Sequence, residues 1–193
     1  MACIHRIHLY YPDSLEEFSL ASQISQAEAM KFFIEVFRLG KERRGGIIWW
    51  NLIDCWPQFS DAIVDYYYDK KLAYYYIKNC QKPILLSFSE PENGEIVLNA
   101  INDTGESINL KYEVFDFESG KRVLEGTAIV GDKVETLASL PYRESERRIY
   151  VITWETDTEQ GYNHYLCGTP TFDFEFYCNF LEESCYKGKA NNS

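Results

Sequence analysis

The sequence predicts an α+β chain, with a helix–strand–helix segment through residue 83 and an antiparallel β-sandwich over residues 84–193. Three observations carry the prediction. A long apolar stripe at helical spacing follows Asp13, a continuous apolar run "IIWW" follows paired glycines, and beyond Pro83 the pattern changes to short alternating runs separated by turn residues. With 193 residues, 46% hydrophobic and 16% aromatic, the chain has ample material for a packed core.

The first element is a helix opening at Asp13 or Ser14 as N-cap, with Glu16 and Glu17 in its first turn and basic residues before Gly45 and Gly46 at its end. Leu15, Phe18, Ile24, Ala27, Met30, Ile34 and Phe37 fall on one face, which must pack against something. "IIWW" suits a strand buried on both sides, as in a parallel sheet. "DAIVDYYYDKKLAYYYIKNCQKP" returns to helical spacing, with Leu72, Tyr75 and Tyr76 sharing a face and Pro83 closing it. Helix, buried strand, helix is the order of an α/β barrel or a doubly wound sheet.

From "ILLSFSE" to "GYNHYLCG" about seven short runs rich in β-branched and aromatic residues follow, separated by "PENG", "DTGE", "ESGK" and "GDK". Ile108, Leu110, Tyr112 and Val114 alternate with polar neighbours, and Tyr150, Ile152 and Trp154 share one strand face. Their size and rhythm match an immunoglobulin-like sandwich without its Cys…Trp…Cys framework. A short helix is expected from Asp173 to Ser184, and "KGKANNS" should be loose.

Thirty acidic against nineteen basic side chains give a net charge of −11, which repels phosphate backbones and acidic lipid headgroups. Nucleic acid and membrane surfaces are therefore not expected partners. "MACIHRIHLYYP" lacks the features of a secretory signal, so the chain reads as soluble and cytoplasmic. The six cysteines, Cys3, Cys55, Cys80, Cys167, Cys178 and Cys185, form no C-x-x-C pair and sit with no histidine at metal-ligand spacing. Free, mostly buried thiols are expected, with no metal and no cofactor.

Chemistry concentrates in "GGIIWWNLIDCWPQFSD", which places Trp49, Trp50 and Trp56 close together in sequence. At the carboxyl end of a barrel strand, Trp50, Asn51, Asp54 and Trp56 would lie on the working face. Tryptophan offers a flat apolar surface to the C–H face of a sugar ring, and asparagine and aspartate offer partners for its hydroxyls. Taken alone, such a cluster is more commonly core, Asp54, Asp61 and Asp65 read as loop solvation or a helix N-cap, and His164 in "YNHYL" reads as a satisfied strand residue.

"GGIIWWNLIDCWPQFSDAIVDYYYDKKLAYYYIK" resembles the last strand and helix of the barrel in β-mannosidase-type enzymes of glycoside hydrolase family 2. There the motif runs approximately G-x-x-x-W-Q-L-N-D-x-W-P, followed by D-Y-Y and a K-x-x-Y-Y helix. "ASQISQAEAMKFFIEVFR" is similar to the preceding helix, and "NHYLCGTPTFDFEFY" resembles the end of the family's C-terminal domain. Trp50, Leu52, Asp54, Trp56 and Pro57 agree with the motif, whereas Asn51 replaces glutamine and Ile53 replaces asparagine. The loss of a polar group at Ile53 means that the family's sugar preference does not carry over.

The resemblance implies that residues 1–83 are the terminal part of a (β/α)8 barrel and residues 84–193 an immunoglobulin-like domain. It implies substrate-binding roles for Trp50, Asn51, Asp54 and Trp56 toward a β-linked, mannoside-like sugar. Retaining hydrolysis needs two carboxyl groups about 5 Å apart, and no residue here matches the family's glutamate pair. The chain is therefore expected to be the C-terminal portion of a larger exo-β-glycosidase, inactive alone. The alternatives are a non-catalytic carbohydrate-binding module and a small protein-interaction module, with self-association through exposed apolar helix faces.

Overall fold

A computed structural model describes residues 13–169 and 172–186. The expectations for "MACIHRIHLYYP", Cys3 and the tail "KGKANNS" lie outside the described residues. The chain divides into two compact units. One gathers the described parts of Met1–Ile34, Ile47–Asn79 and Pro170–Ser193, the other Glu35–Gly46 and Cys80–Thr169.

Helix α1 runs Leu15–Leu39. Ser14 is its N-cap, its hydroxyl accepting from the Glu17 N–H at 3.1 Å, while the Glu17 carboxylate reaches back to the Asp13 N–H at 3.0 Å. Ile24, Ala27 and Ile34 are buried as the spacing predicts. Leu15 and Phe18 are exposed, and the buried face also carries Gln23, Glu28 and Lys31. Helix α2 covers only Leu72–Cys80, and α3 spans Phe174–Glu183 with Asp173 accepting from the Phe176 N–H at 2.9 Å.

"IIWW" is not a strand: residues 47–50 take no regular secondary structure, and Ile48 is 95% exposed. A strand exists only through ladder bonds to a neighbour, and no named strand among the described residues pairs with this run. The helix expected from Asp61 starts instead at Leu72. Asp65 explains the delay, because its carboxylate accepts from the N–H groups of Tyr67 and Asp69, both at 2.8 Å. This Asx-type turn competes with helix for the backbone.

The second unit holds seven antiparallel strands in two sheets. Strands β1 (Ile84–Phe88), β2 (Glu95–Asn102) and β5 (Glu135–Pro141) are ordered β1-β2-β5, whereas β3 (Ile108–Asp116), β4 (Arg122–Val130), β6 (Arg148–Glu155) and β7 (Gln160–Cys167) are ordered β4-β3-β6-β7. β1 and β2 are joined through "PENG", with Asn93 and Gly94 both at positive φ (53° and 81°) as a two-residue hairpin turn requires. In β3 and β6 the registers Tyr112↔Trp154 and Val114↔Ile152 align the predicted inward faces. Those residues share one core with Leu85, Leu86, Ile96, Leu98 and Ile101 of the other sheet, each aliphatic side chain contributing about 1.5–3 kcal/mol.

Arg38, near the end of α1, ties that helix end to the sheets. Its guanidinium donates to the carbonyls of Cys80, Lys82 (2.8 Å) and Pro83 (3.2 Å) and to Asp103 (2.7 Å). Lys41 adds bonds to the Asn102 carbonyl at 2.8 Å and to Asp103 at 2.7 Å. Burial opposes the charge on Asp103, yet the hydrogen bonds from Lys41 and Arg38 outweigh it and hold the carboxyl below its ordinary value.

Gly161 of β7 faces Trp154 of β6 so closely that a Cβ there would lie 1.9 Å from the indole. Gly161→Ala should therefore displace the buried ring and lower stability by about 1–3 kcal/mol, read as a reduced denaturant midpoint with altered near-ultraviolet dichroism.

Candidate functional site

The predicted site residues lie in the first unit, on the chain between α1 and α2. That stretch is pinned by short backbone links rather than by a sheet. Val64 donates to the Leu52 carbonyl at 3.0 Å, Asp54 to the Val64 carbonyl at 3.1 Å, Ile63 to the Asn51 carbonyl at 3.3 Å and Lys71 to the Ile63 carbonyl at 3.0 Å. Side chains of α1 complete the frame. Gln23 accepts from the Leu72 N–H at 3.0 Å, meeting an otherwise unsatisfied donor at the start of α2, and Gln26 donates to the Asp61 carbonyl at 2.6 Å.

Asp54 is the buried charge of this loop, its side chain fully shielded from solvent. One carboxylate oxygen accepts from Gln58 at 3.0 Å and from the Ser60 hydroxyl, and the other from Lys71 at 3.3 Å. Burial raises the cost of ionising Asp54, but the bonds from Ser60 and Gln58 and the Lys71 charge outweigh it, leaving the carboxyl below its ordinary value. Sequence reasoning missed Ser60, Gln58 and Lys71. The signal was polar residues four and six positions after an aspartate, around Trp56.

Trp50 and Trp56 are 75% and 62% exposed, so the structure presents both rings to solvent rather than burying them as core. Asn51 follows Trp50 across a cis peptide bond, and its Oδ1 is buried without a hydrogen-bond partner. Ile48, Leu52, Phe59, Tyr67 and Tyr68 are exposed nearby in sequence. Trp50, Asn51 and Trp56 are thus at least partly open to solvent, whereas Asp54 is turned inward.

A second polar chain in the same unit lies beneath α1. Tyr177 of α3 donates to the buried Glu28 carboxylate, and the hydroxyls of Tyr177 and Tyr76 are 2.7 Å apart. Burial first, then the Glu28 charge and Tyr76, push the Tyr177 hydroxyl well above its ordinary value. This network fixes α3 against α1 and α2 and presents no group to solvent.

The described cysteines are free thiols in different surroundings. Cys80 and Cys167 are buried, Cys55 and Cys185 exposed, and burial followed by the charges of Glu182 and Asp173 pushes the Cys178 thiol up to about 11. Among the described residues no group of three or more His, Cys, Asp or Glu is placed to hold a metal ion, and no described helix is long and apolar enough to cross a membrane. His164 is fully buried in β7.

No family model matches the sequence. Beta-mannosidase B from Thermothelomyces thermophilus is 35% identical over 85 residues, covering 42% of this chain and 10% of that protein. Its namesake from Aspergillus fumigatus is 33% identical over 116 residues, covering 58% and 13%. Among solved structures, the β-D-mannosidase from Dictyoglomus thermophilum matches with a TM-score of 0.68 and 25% identity, over 83% of this chain and 21% of that one. The exo-chitosanase CsxA from Amycolatopsis orientalis matches with a TM-score of 0.68 over 90% of this chain and 22% of that one; at 19% identity it shows the fold alone. The chain spans about a tenth of the length of the curated relatives it matches.

These likenesses define a glycoside hydrolase-like protein of mixed helix and antiparallel sheet. More particularly, the chain resembles the C-terminal portion of a β-mannosidase-type enzyme of glycoside hydrolase family 2.

The depressed Asp54 carboxyl sets a pH dependence. A carboxylate stabilised in the folded state contributes above its unfolded value, about 3.9, and that contribution is lost as pH falls through the lower folded value. The emission of Trp50 and Trp56 should therefore hold steady from neutral pH down to about pH 4 and change only below it, whereas Asp54→Asn should abolish that acid step.

Proposed function

We propose that this chain is the C-terminal part of a β-mannosidase-like retaining exo-β-glycosidase, to which it gives one wall of the sugar pocket and a supporting immunoglobulin-like sandwich. The first unit is read as the end of a (β/α)8 barrel. The chain does not catalyse alone, since the glutamate pair of the family has no counterpart in the matched motifs.

One observation carries the reading: two tryptophans of the matched motif, Trp50 and Trp56, stand in solvent on a loop held by a buried ion pair. Indole rings normally bury a large apolar surface, so rings held open on a fixed frame suit stacking on a pyranose. Asn51, partly exposed beside Trp50, supplies the polar part of the wall. The relatives' names support a β-linked mannoside as the sugar class.

A second reading, docking of another protein or of a second copy, is favoured by Ile48, Phe59 and Tyr68, which are 95%, 88% and 77% exposed. Large apolar side chains left in solvent are the material of which an interface is made. Concentration-dependent light scattering would reveal self-association.

The sugar reading is tested by titrating the chain with manno-oligosaccharides while following tryptophan fluorescence. Saturable change is expected, with Trp50→Ala and Trp56→Ala each weakening binding about tenfold, or about 1.4 kcal/mol. Wild-type affinity in both variants would refute the assignment.

A further inference from the structure

The segment from Asp54 to Ser60 is a closed loop with Trp56 at its crown. Closure is made at its base by one carboxylate. Asp54 Oδ1 accepts from Gln58 Nε2 at 3.0 Å and from Ser60 Oγ, and Oδ2 from Lys71 Nζ at 3.3 Å. Lys71 also donates to the Ser60 carbonyl at 3.3 Å, and Ser60 Oγ accepts from the Ala62 N–H at 3.0 Å. Asp54 is shielded completely and the Lys71 side chain is only 14% exposed. Three of the carboxylate's roughly four lone-pair positions are taken, and no part of it meets solvent.

A carboxylate engaged in this way has little left to offer a ligand, but it controls the chain around it. Two of its contacts come from the far limb of the loop and the third from the residue preceding α2, so ionised Asp54 draws three separate points of the chain together. A loop of this length between two tied ends leaves its central residue few backbone states, which limits where the side chain at the crown can project. Such support from outside the contact layer is what holds a binding group in place before ligand arrives.

We propose that Gln58, Ser60 and Lys71 are positioning residues that act through Asp54 to hold Trp56 in its outward, ligand-ready orientation. Asp54 is thereby a tether rather than a sugar ligand. The role of Trp56 in sugar binding rests on the reading given above; the tether does not, and the two are separable by experiment.

The test compares Ser60→Ala, Lys71→Met and Asp54→Asn with the conservative pair Ser60→Thr and Lys71→Arg in the full chain. Backbone amide exchange at Asp54 and Val64 and acrylamide quenching of Trp56, taken as the difference from Trp56→Phe, report on the frame without sugar. Mannobiose titration reports on binding. The first three variants should speed exchange and raise Trp56 quenching and the dissociation constant, each about tenfold, while Ser60→Thr and Lys71→Arg restore wild-type values. Unchanged exchange and quenching in Asp54→Asn would overturn the tether. So would faster exchange with undiminished mannobiose affinity, since a frame that loosens without consequence positions nothing. Failure of the wild-type chain to bind mannobiose would refute the sugar reading, and the exchange and quenching results would still decide the tether.

Discussion

A carboxylate removed from water must be met by hydrogen bonds and opposite charge, or it costs several kcal/mol. Asp54 satisfies that demand by collecting Gln58, Ser60 and Lys71, and the course of the loop that carries Trp56 follows from the collection. The same constraint recurs through an acidic chain of net charge −11. Asp103 is met by Arg38 and Lys41 at the start of the sheets, Asp116 by Arg148 and the Ser119 backbone, and Glu28 by Tyr177 beneath α1. Each joins segments distant in sequence. Charge thus organises the interior of an acidic chain.

The two-sheet unit was readable because both of its signals are local. Alternation from Ile108 to Val114 and from Tyr150 to Trp154 fixes which side chains point inward, and "PENG" supplies the two positive-φ positions of a tight turn. Helix α1 was readable from Ser14 and Glu17 at its start and from its stripe, although Leu15 and Phe18 proved exposed. "IIWW" misled because an apolar run states only a preference for burial. A strand also needs neighbours, and neighbours are not written in the run itself. Tyr66 to Tyr68 misled for a different reason: helical spacing is weak against an aspartate able to bond two backbone N–H groups.

Within the candidate site, residue types were legible and roles were not. The motif identified Trp50, Asn51, Asp54 and Trp56, but only coordinates separate two exposed rings from one fully shielded carboxylate. Gln58 and Ser60 could have been suspected from their spacing after Asp54, whereas Lys71 meets it from just before α2 and Gln23 of α1 takes the Leu72 N–H, beyond what spacing conveys. Exposed indole rings and a shielded carboxylate are therefore adjacent in sequence but opposite in exposure. A pocket wall requires that combination: apolar faces turned to the ligand, over a polar base closed to water.

On the proposed reading, this chain completes a glycosidase whose reacting acids lie on another part of the polypeptide. The most direct test is hydrolysis of an aryl β-mannoside by the purified chain alone and by the chain joined to the polypeptide encoded immediately upstream. The joined protein should hydrolyse the substrate with retention of configuration, and the chain alone should give no rate above buffer. Turnover by the chain alone, surviving removal of trace contaminants, or a well-folded joined protein without activity would contradict the account.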